Sequence, residues 1–471
     1  MRASPGRTIA SRRGRLRTAT GVLDEEGRGG VQVLWGIGGM LVLLLIAFAM
    51  STNRRAIKPR TVLGALAIQI VFAFAVLRWE TGRQTLAATA GGVQRVIDSS
   101  KEGIDFLFGP ILPATGTVVA FQVLPLIVFV ASLTAVLYHL NILQWVVRII
   151  GGGLQKVLGT SKAESLNATA NIFLGQTESP LVIRPYLARM SESEFFAVMV
   201  GGLATVAGTV MVGYAALGAD LQNLIAASFM AAPAALLMAK IMRPETEPTS
   251  SDRATAVAQA AGTTATESTE DGEADGDDSE KASEAARTEE PDEARGGDYK
   301  PRNVIDAAAS GASDGLKLAL NVGAMLFAFV SLVALINLFV GLVGGWFGLP
   351  DLTLEQILGY VFAPVMYITG VPWHEAVAAG GFLGQKLVIN EFVAFADFGP
   401  QTGAFSEKSA TIITFALCGF ANLGSLAILL GGLGGMVPAR RPLIARYGLR
   451  AIAAGTLANL LSATIAGILV A

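Results

Sequence analysis

The sequence predicts an all-α integral membrane protein: eight transmembrane helices plus two re-entrant helical hairpins, forming an inverted repeat with broken helices. Three observations predict it. Of 471 residues, 52% are hydrophobic and 15% charged, and several runs reach the roughly 18 apolar residues that a bilayer crossing needs. Two polar breaks, GQTESP at Gly175 to Pro180 and NEF at Asn390 to Phe392, each place a carboxylate inside sequence otherwise fit for lipid. Each break is followed by an apolar helix that glycines interrupt, and broken helices entering from opposite faces to meet near the midplane are the plan of a secondary transporter.

A carboxylate at the centre of a membrane helix costs roughly 2.5 to 3.5 kcal/mol, so Glu178 and Glu391 are functional candidates from the outset. The single cysteine, Cys418, excludes an intrachain disulfide and a cysteine zinc cage. Two histidines, His139 and His374, leave no HExxH or His-rich metal set, which weakens any metalloenzyme reading. The net charge of -2 conceals two opposed parts, because residues 243–300 hold 17 acids against 6 Lys and Arg, leaving the remainder basic.

Taken in order, the Arg-rich residues 2–28 precede an apolar span near Val31 to Met50, a basic turn with Arg54, Arg55, Lys58 and Arg60, and a second span near Thr61 to Trp79. The stretch through Glu102 carries charges too often for a crossing and is expected along the interface. Thr117 to Tyr138 forms a third span, and Ile142 to Val157 reads as an amphipathic surface helix. Residues 1–116 thus form an N-terminal part, and 117–242 the first half of a transport core.

Within that half, residues 161–190 are cut by Gly175 and Pro180. A first segment of about 13 residues rises only about 20 Å, short of the roughly 30 Å hydrocarbon core, so a re-entrant hairpin fits better than a span. Pro180 suits the first turn of a returning helix, with Thr177 or Ser179 as its cap. Non-helical backbone at that depth is tolerated only beside protein or a water-filled cavity, so the tip lines one.

Spans at Phe195 to Leu217 and Leu221 to Met242 follow, and then residues 243–300 lose nearly all large apolar side chains. Such a composition cannot offset chain entropy by burial, which predicts an acidic disordered linker. The second half, 301–471, has a span at Leu316 to Val343, an interfacial stretch through Trp373 and a second re-entrant hairpin at 374–398. Ile412 to Leu433 and Ala451 to Val470 close the chain. His374, beside Trp373, reads as interfacial rather than catalytic, and GGLGG at Gly431 to Gly435 lacks the Lys-Ser/Thr of a phosphate loop.

With eight crossings and two hairpins that return to their own side, the basic segments at 54–60, 148–162, 240–243 and 440–450 all fall on one face, which the positive-inside rule makes cytoplasmic. Both termini then lie outside. The Arg-rich tail opposes this, and the several internal loops carry the greater weight.

The motifs GQTESPLVIRPYL, NEFVAF and ALCGFANLGSLAILLGG resemble those of the concentrative nucleoside transporters, and the likeness runs from about Gln122 to Ala471 apart from the acidic insert. The resemblance implies a multi-pass symporter of the cell (inner, cytoplasmic) membrane that imports nucleosides on the sodium gradient as a homotrimer, with no organic cofactor and no nucleic-acid partner. It places the nucleobase on Gln176, Thr177 and Glu178, with Val210 packed beside it. The ribose falls on Glu391, Asn422 and Ser425, with Phe420 nearby. Amides and hydroxyls can read a base, and a buried carboxylate pairs well with ribose hydroxyls. Sodium falls on Asn171, Leu174, Thr205, Val206 and Thr209, a set of hard oxygen donors suited to it. Proton-coupled relatives depart at the Asn171 position. Leu423-Gly424 replaces a bulkier or hydroxylic pair common in relatives and leaves base preference open.

Three other readings stand beside this one. They are a proton-coupled symporter, an intramembrane enzyme using Glu178 and Glu391 as an acid/base pair, and a nucleoside-gated channel or sensor. Without the resemblance, Asn171, Thr205 and Thr209 read as ordinary backbone-bonded polar residues, Glu178 as a structural partner of Arg184, and Phe420 as packing bulk.

Overall fold

The computed structural model describes residues 30–113, 118–250, 252 and 301–470. The Arg-rich tail and most of the expected linker lie outside these residues. All regular structure among those described is helical.

Seven helices there are long and apolar enough to cross a membrane. These are α1 (Gly30–Ala49), α2 (Pro59–Arg78), α4 (Val119–His139), the broken pair within Glu192–Ala216, α10 (Leu221–Met242), α11 (Val304–Trp346) and α17 within Pro438–Val470. Between them, α3 (Glu80–Phe108) is the polar helix expected at the interface and α5 (Ile142–Leu158) the amphipathic one. Three helices make the interior: α8 (Glu192–Ala204), α10 and α17 (Arg441–Val470) are buried along most of their length. By contrast α1, α2 and α11 turn large apolar side chains outward, as lipid-facing helices do.

Helix α11 runs 43 residues, against the 28 expected for Leu316 to Val343. At 1.5 Å per residue that is about 65 Å, twice the hydrocarbon thickness, so its N-terminal turns with Asp306, Asp314 and Lys317 extend beyond a bilayer. Asn303 caps it by accepting from the Asp306 amide at 2.9 Å. Gly311 and Gly315 let it approach α4 so closely that a Cβ at either would lie 2.9 Å from backbone of Ser132 or Val128. This is the small-residue spacing by which membrane helices pack.

Neither Phe195 to Leu217 nor Ile412 to Leu433 is a continuous span. The first divides into α8 and α9 (Gly208–Ala216) around an extended Thr205, and the second into α15 (Glu407–Leu417) and α16 (Leu423–Met436). Two hairpin-like segments insert beside these breaks. One is α6 (Lys162–Ala170), a chain reversal at 171–178, a 3₁₀ turn Ser179–Ile183 and the short α7 (Arg184–Leu187). The other is α13 (Trp373–Val388), a break at Ile389-Asn390 and α14 (Glu391–Phe398). Helix α12 (Leu354–Ile368) meets α13 at 116°, turning from one direction of travel into another.

The returning arm of the first segment differs from expectation. Pro180 does sit in its first turn, but the arm begins as 3₁₀ helix, and neither Thr177 nor Ser179 caps it. Ser179 Oγ instead donates to Asn171 Oδ1 at 2.6 Å, because the reversal brings its hydroxyl back over the end of α6.

Ordered packing also continues past Met242. Lys240 pairs with Glu164 and with Glu245, the latter at 3.2 Å, and Arg243 pairs with Glu192. Ser250 donates through its amide and hydroxyl to Glu194, both at 2.8 Å. Glu164 and Glu194 are also the third residues of capping boxes begun by Ser161 and Ser191. Residues 243–250 therefore strap the starts of α6 and α8, although their composition alone places them in the linker.

Candidate functional site

The reversal after α6, the two helix breaks and the start of α14 converge on one region. Phe173 O accepts from Gly208 N at 3.1 Å, which seats the reversal against the first break. Phe420 N donates to Thr205 O at 3.3 Å, which joins the second break to the first. Thr177 presses on α16 so tightly that a Cβ at Gly432 would lie 2.6 Å from its Cγ2, and Gln176 presses in the same way on Gly202 of α8.

On the first break, Asn171 is fully buried, its Nδ2 donating to Asn167 O at 3.0 Å and its Oδ1 accepting from Ser179. Thr205 ends α8 in an extended conformation, and its hydroxyl proton goes to Gly201 O at 2.7 Å, leaving its lone pairs free to face a cation. Leu174 and Val206 are buried beside it and Thr209 is half-buried on the first turn of α9. The donors are neutral amide, hydroxyl and carbonyl oxygens, a set that suits a hard monovalent ion. No cluster of three His, Cys, Asp or Glu occurs among the described residues.

On the second break, Asn422 caps α16 by accepting from Ser425 N at 2.8 Å while its Nδ2 donates to Glu391 Oε2 at 2.6 Å. Asn390 caps α14 in the same manner, accepting from Val393 N at 2.9 Å, which places Glu391 in the first turn of a helix whose positive pole favours a carboxylate. Tyr214 stacks on Phe395 with ring centroids 4.3 Å apart, and its buried hydroxyl lies against the Glu391 carboxylate. Gln176 Oε1 is buried without a partner. Glu178 is exposed and accepts from Gly175 N at 3.1 Å. Val210 is buried, while Phe420 is partly so and packs at the edge of the core.

A cavity of about 960 Å³ lies elsewhere, its lining including Arg78, Arg83, Asp220, Asn223, Glu407 and Thr411. Its lining mixes polar and apolar side chains and includes neither Glu178 nor Glu391.

Models of the Na+ dependent nucleoside transporter N-terminus, of nucleoside recognition and of the Na+ dependent nucleoside transporter C-terminus match residues 38–111, 120–221 and 223–467 in turn. The chain belongs to the concentrative nucleoside transporters. These are transporters rather than enzymes, and the family's coupling ion is sodium, with no organic cofactor. Among similar family members, the chain is 51% identical to the uncharacterized transporter YutK of Bacillus subtilis over 93% of its own length and 100% of that protein. It is 45% identical to the nucleoside permease NupC of Helicobacter pylori, over 93% of this chain and 98% of that one. The inward-facing, substrate-bound structure of the family member CNTnw superposes with a TM-score of 0.81 at 48% identity, covering 93% of this chain and 98% of that one.

Sequence reasoning gave Ser179 the role of a cap where it bonds Asn171, and missed two buried polar residues of this concentrative nucleoside transporter. Tyr214 lies under Glu391, and Asn459 of α17 donates to both Ala204 O at 2.6 Å and Cys418 O at 2.8 Å. It also overlooked Lys386, whose Nζ donates to Ala416 O at 2.7 Å and Asn459 Oδ1 at 2.9 Å. The signal was available for Lys386: a basic residue in an apolar helix is as costly as the two glutamates that drew attention.

Proposed function

We propose that this protein is a sodium-coupled nucleoside symporter of the cytoplasmic membrane, working as a homotrimer. The observation that carries the reading is the joining of the two helix breaks through Phe420 N and Thr205 O, which sets an oxygen-lined ion pocket directly against a carboxylate-and-amide pocket.

Glu391 accepts from the ribose hydroxyls while Asn422, held by its own cap, orients the carboxylate, and Ser425 completes that end. Gln176, Thr177 and Glu178 meet the base, the unpartnered Gln176 Oε1 serving as an acceptor for a base amine. Sodium on Asn171, Leu174, Thr205, Val206 and Thr209 orders the reversal that carries Gln176. Each ligand then binds better to the state the other has organised, which is coupling by linkage. The presence of Asn171 favours sodium over protons. By the positive-inside rule the basic loops support a cytoplasmic position for the 240–250 strap and the acidic segment that follows it.

Uptake of labelled uridine and adenosine into proteoliposomes, with sodium, lithium or proton gradients imposed separately, tests this. Sodium-driven accumulation is expected. Accumulation on a proton gradient in sodium-free buffer would assign the coupling to protons, and counterflow without accumulation would leave a channel.

A further inference from the structure

Helix α17 carries a buried amide that the roles above leave unused. Asn459 is only 2% exposed, and its Oδ1 accepts from the Lys386 ammonium at 2.9 Å. An ammonium can only donate, so the oxygen must face it and both amide hydrogens are left for acceptors elsewhere. They go to Ala204 O at 2.6 Å and to Cys418 O at 2.8 Å.

These two carbonyls stand where broken helices stop. Ala204 is the last residue of α8, and Cys418 is the residue that ends α15. A helix leaves its last four carbonyls without intrahelical partners, and at membrane depth bulk water does not replace them. Two separate side chains would satisfy the ends independently; here a single amide serves both. The approach is prepared one turn earlier on the same face of α17, where a Cβ on Gly455 would lie 3.2 Å from the Cβ atoms of Leu203 and Ala421 and 3.3 Å from Ala204 N. Gly455 thus lets α17 wedge between the two breaks, and Asn459, four residues on, supplies the bonds. A Cβ on Gly419 would collide with the Asn459 amide, so the chain leaving α15 passes this point as glycine.

Each tied end opens onto a pocket. Ala204 precedes Thr205 and Val206 of the proposed ion set, and Cys418 lies four residues before Asn422, whose amide aims Glu391. The backbone bond from Phe420 N to Thr205 O, at 3.3 Å, is the longer of the two connections between the breaks. Hydrogen bonds weaken steeply once their geometry is lost, so a shift of either helix end is resisted through the shared amide by the other.

We propose that Asn459 is the positioning residue through which the ion pocket and the ribose pocket order one another. It touches neither ligand and acts by holding the ends of α8 and α15 in fixed relation. This deepens the reading of the protein as a sodium-coupled nucleoside symporter and rests on it.

The test is the ratio of uridine dissociation constants without sodium and at saturating sodium, measured by calorimetry on the full-length protein. In the wild type, sodium is expected to tighten uridine binding roughly ten-fold. Asn459→Ser offers one hydrogen where two carbonyls need one each, and Asn459→Leu keeps a branched shape with no donor. In both variants uridine should still bind, with the ratio reduced to about two-fold or less. A residue that merely held the fold would lower stability and both affinities while leaving the ratio alone, so a folded variant with the wild-type ratio overturns the proposal. Cys418 gives a reading in the unaltered protein, which decides if neither variant assembles. Sodium alone, with no nucleoside present, should slow alkylation of this buried thiol by N-ethylmaleimide several-fold, and a rate indifferent to sodium overturns the proposal. A wild type whose uridine affinity follows pH and ignores sodium sinks the sodium assignment alone, and the same ratio and alkylation rate, taken across the proton titration, then decide Asn459.

Discussion

Asn422 uses both ends of its side-chain amide at once: the oxygen caps α16 through Ser425 N at 2.8 Å, and the nitrogen donates to Glu391 at 2.6 Å. The carboxylate is therefore aimed by a helix cap. Its orientation is as firm as the helix start that holds it.

Replacing Glu391 by Gln should nearly abolish uptake while expression and oligomeric state persist. Each charge-assisted bond to a ribose hydroxyl contributes roughly 1.5 to 3 kcal/mol, so uridine affinity is expected to fall at least about ten-fold. A titration giving wild-type affinity would remove Glu391 from the site.

Asn171→Ala and Thr205→Ala should raise the half-saturating sodium concentration more than they lower saturated uptake. Both remove oxygens at the first break without touching Glu391 or Asn422. Sodium titrations that overlay the wild type for both variants would place the ion elsewhere.

Tyr214→Phe should keep the stacking on Phe395 and the fold but lower uridine affinity several-fold, because the deleted hydroxyl lies against the Glu391 carboxylate. Wild-type affinity in that variant would take Tyr214 out of the site.

Deleting residues 253–296 should preserve transport, since a polar segment of that composition adds no packed core and its ends can be rejoined flexibly. Removing 244–252 should instead lower thermal stability, because Glu245 and Ser250 satisfy buried partners. A cysteine at Ser279 in a Cys418→Ala background should react with an impermeant maleimide only after permeabilisation, and labelling of intact right-side-out cells would reverse the topology.

How much of this was legible in the sequence follows from what each feature depends on. Apolar runs, the two carboxylates and the caps Asn390 and Asn422 are local, and all sit where the pattern puts a helix or a break, whereas Asn303 starts its helix well before the expected Leu316. The stop after Ala204 is not local, since Thr205-Val206-Ala207 carries no Pro or Gly before Gly208, and the break is held by Phe173 and Phe420 from distant segments. The strap at 243–250 was hidden for the same reason, because its partners Ser191, Glu192 and Glu194 lie about fifty residues earlier. Asn459 sits in an apolar helix with no neighbouring motif, and only the fold reveals that it serves two helix ends.

That placement bears on how the protein is made. The carbonyls of Ala204 and Cys418 precede Asn459 in the chain by 255 and 41 residues, yet both take their bond from that residue of the last helix. Until α17 docks, both broken ends lack that donor. The two pockets are therefore expected to be completed late, and a nascent chain halted before α17 to hold neither.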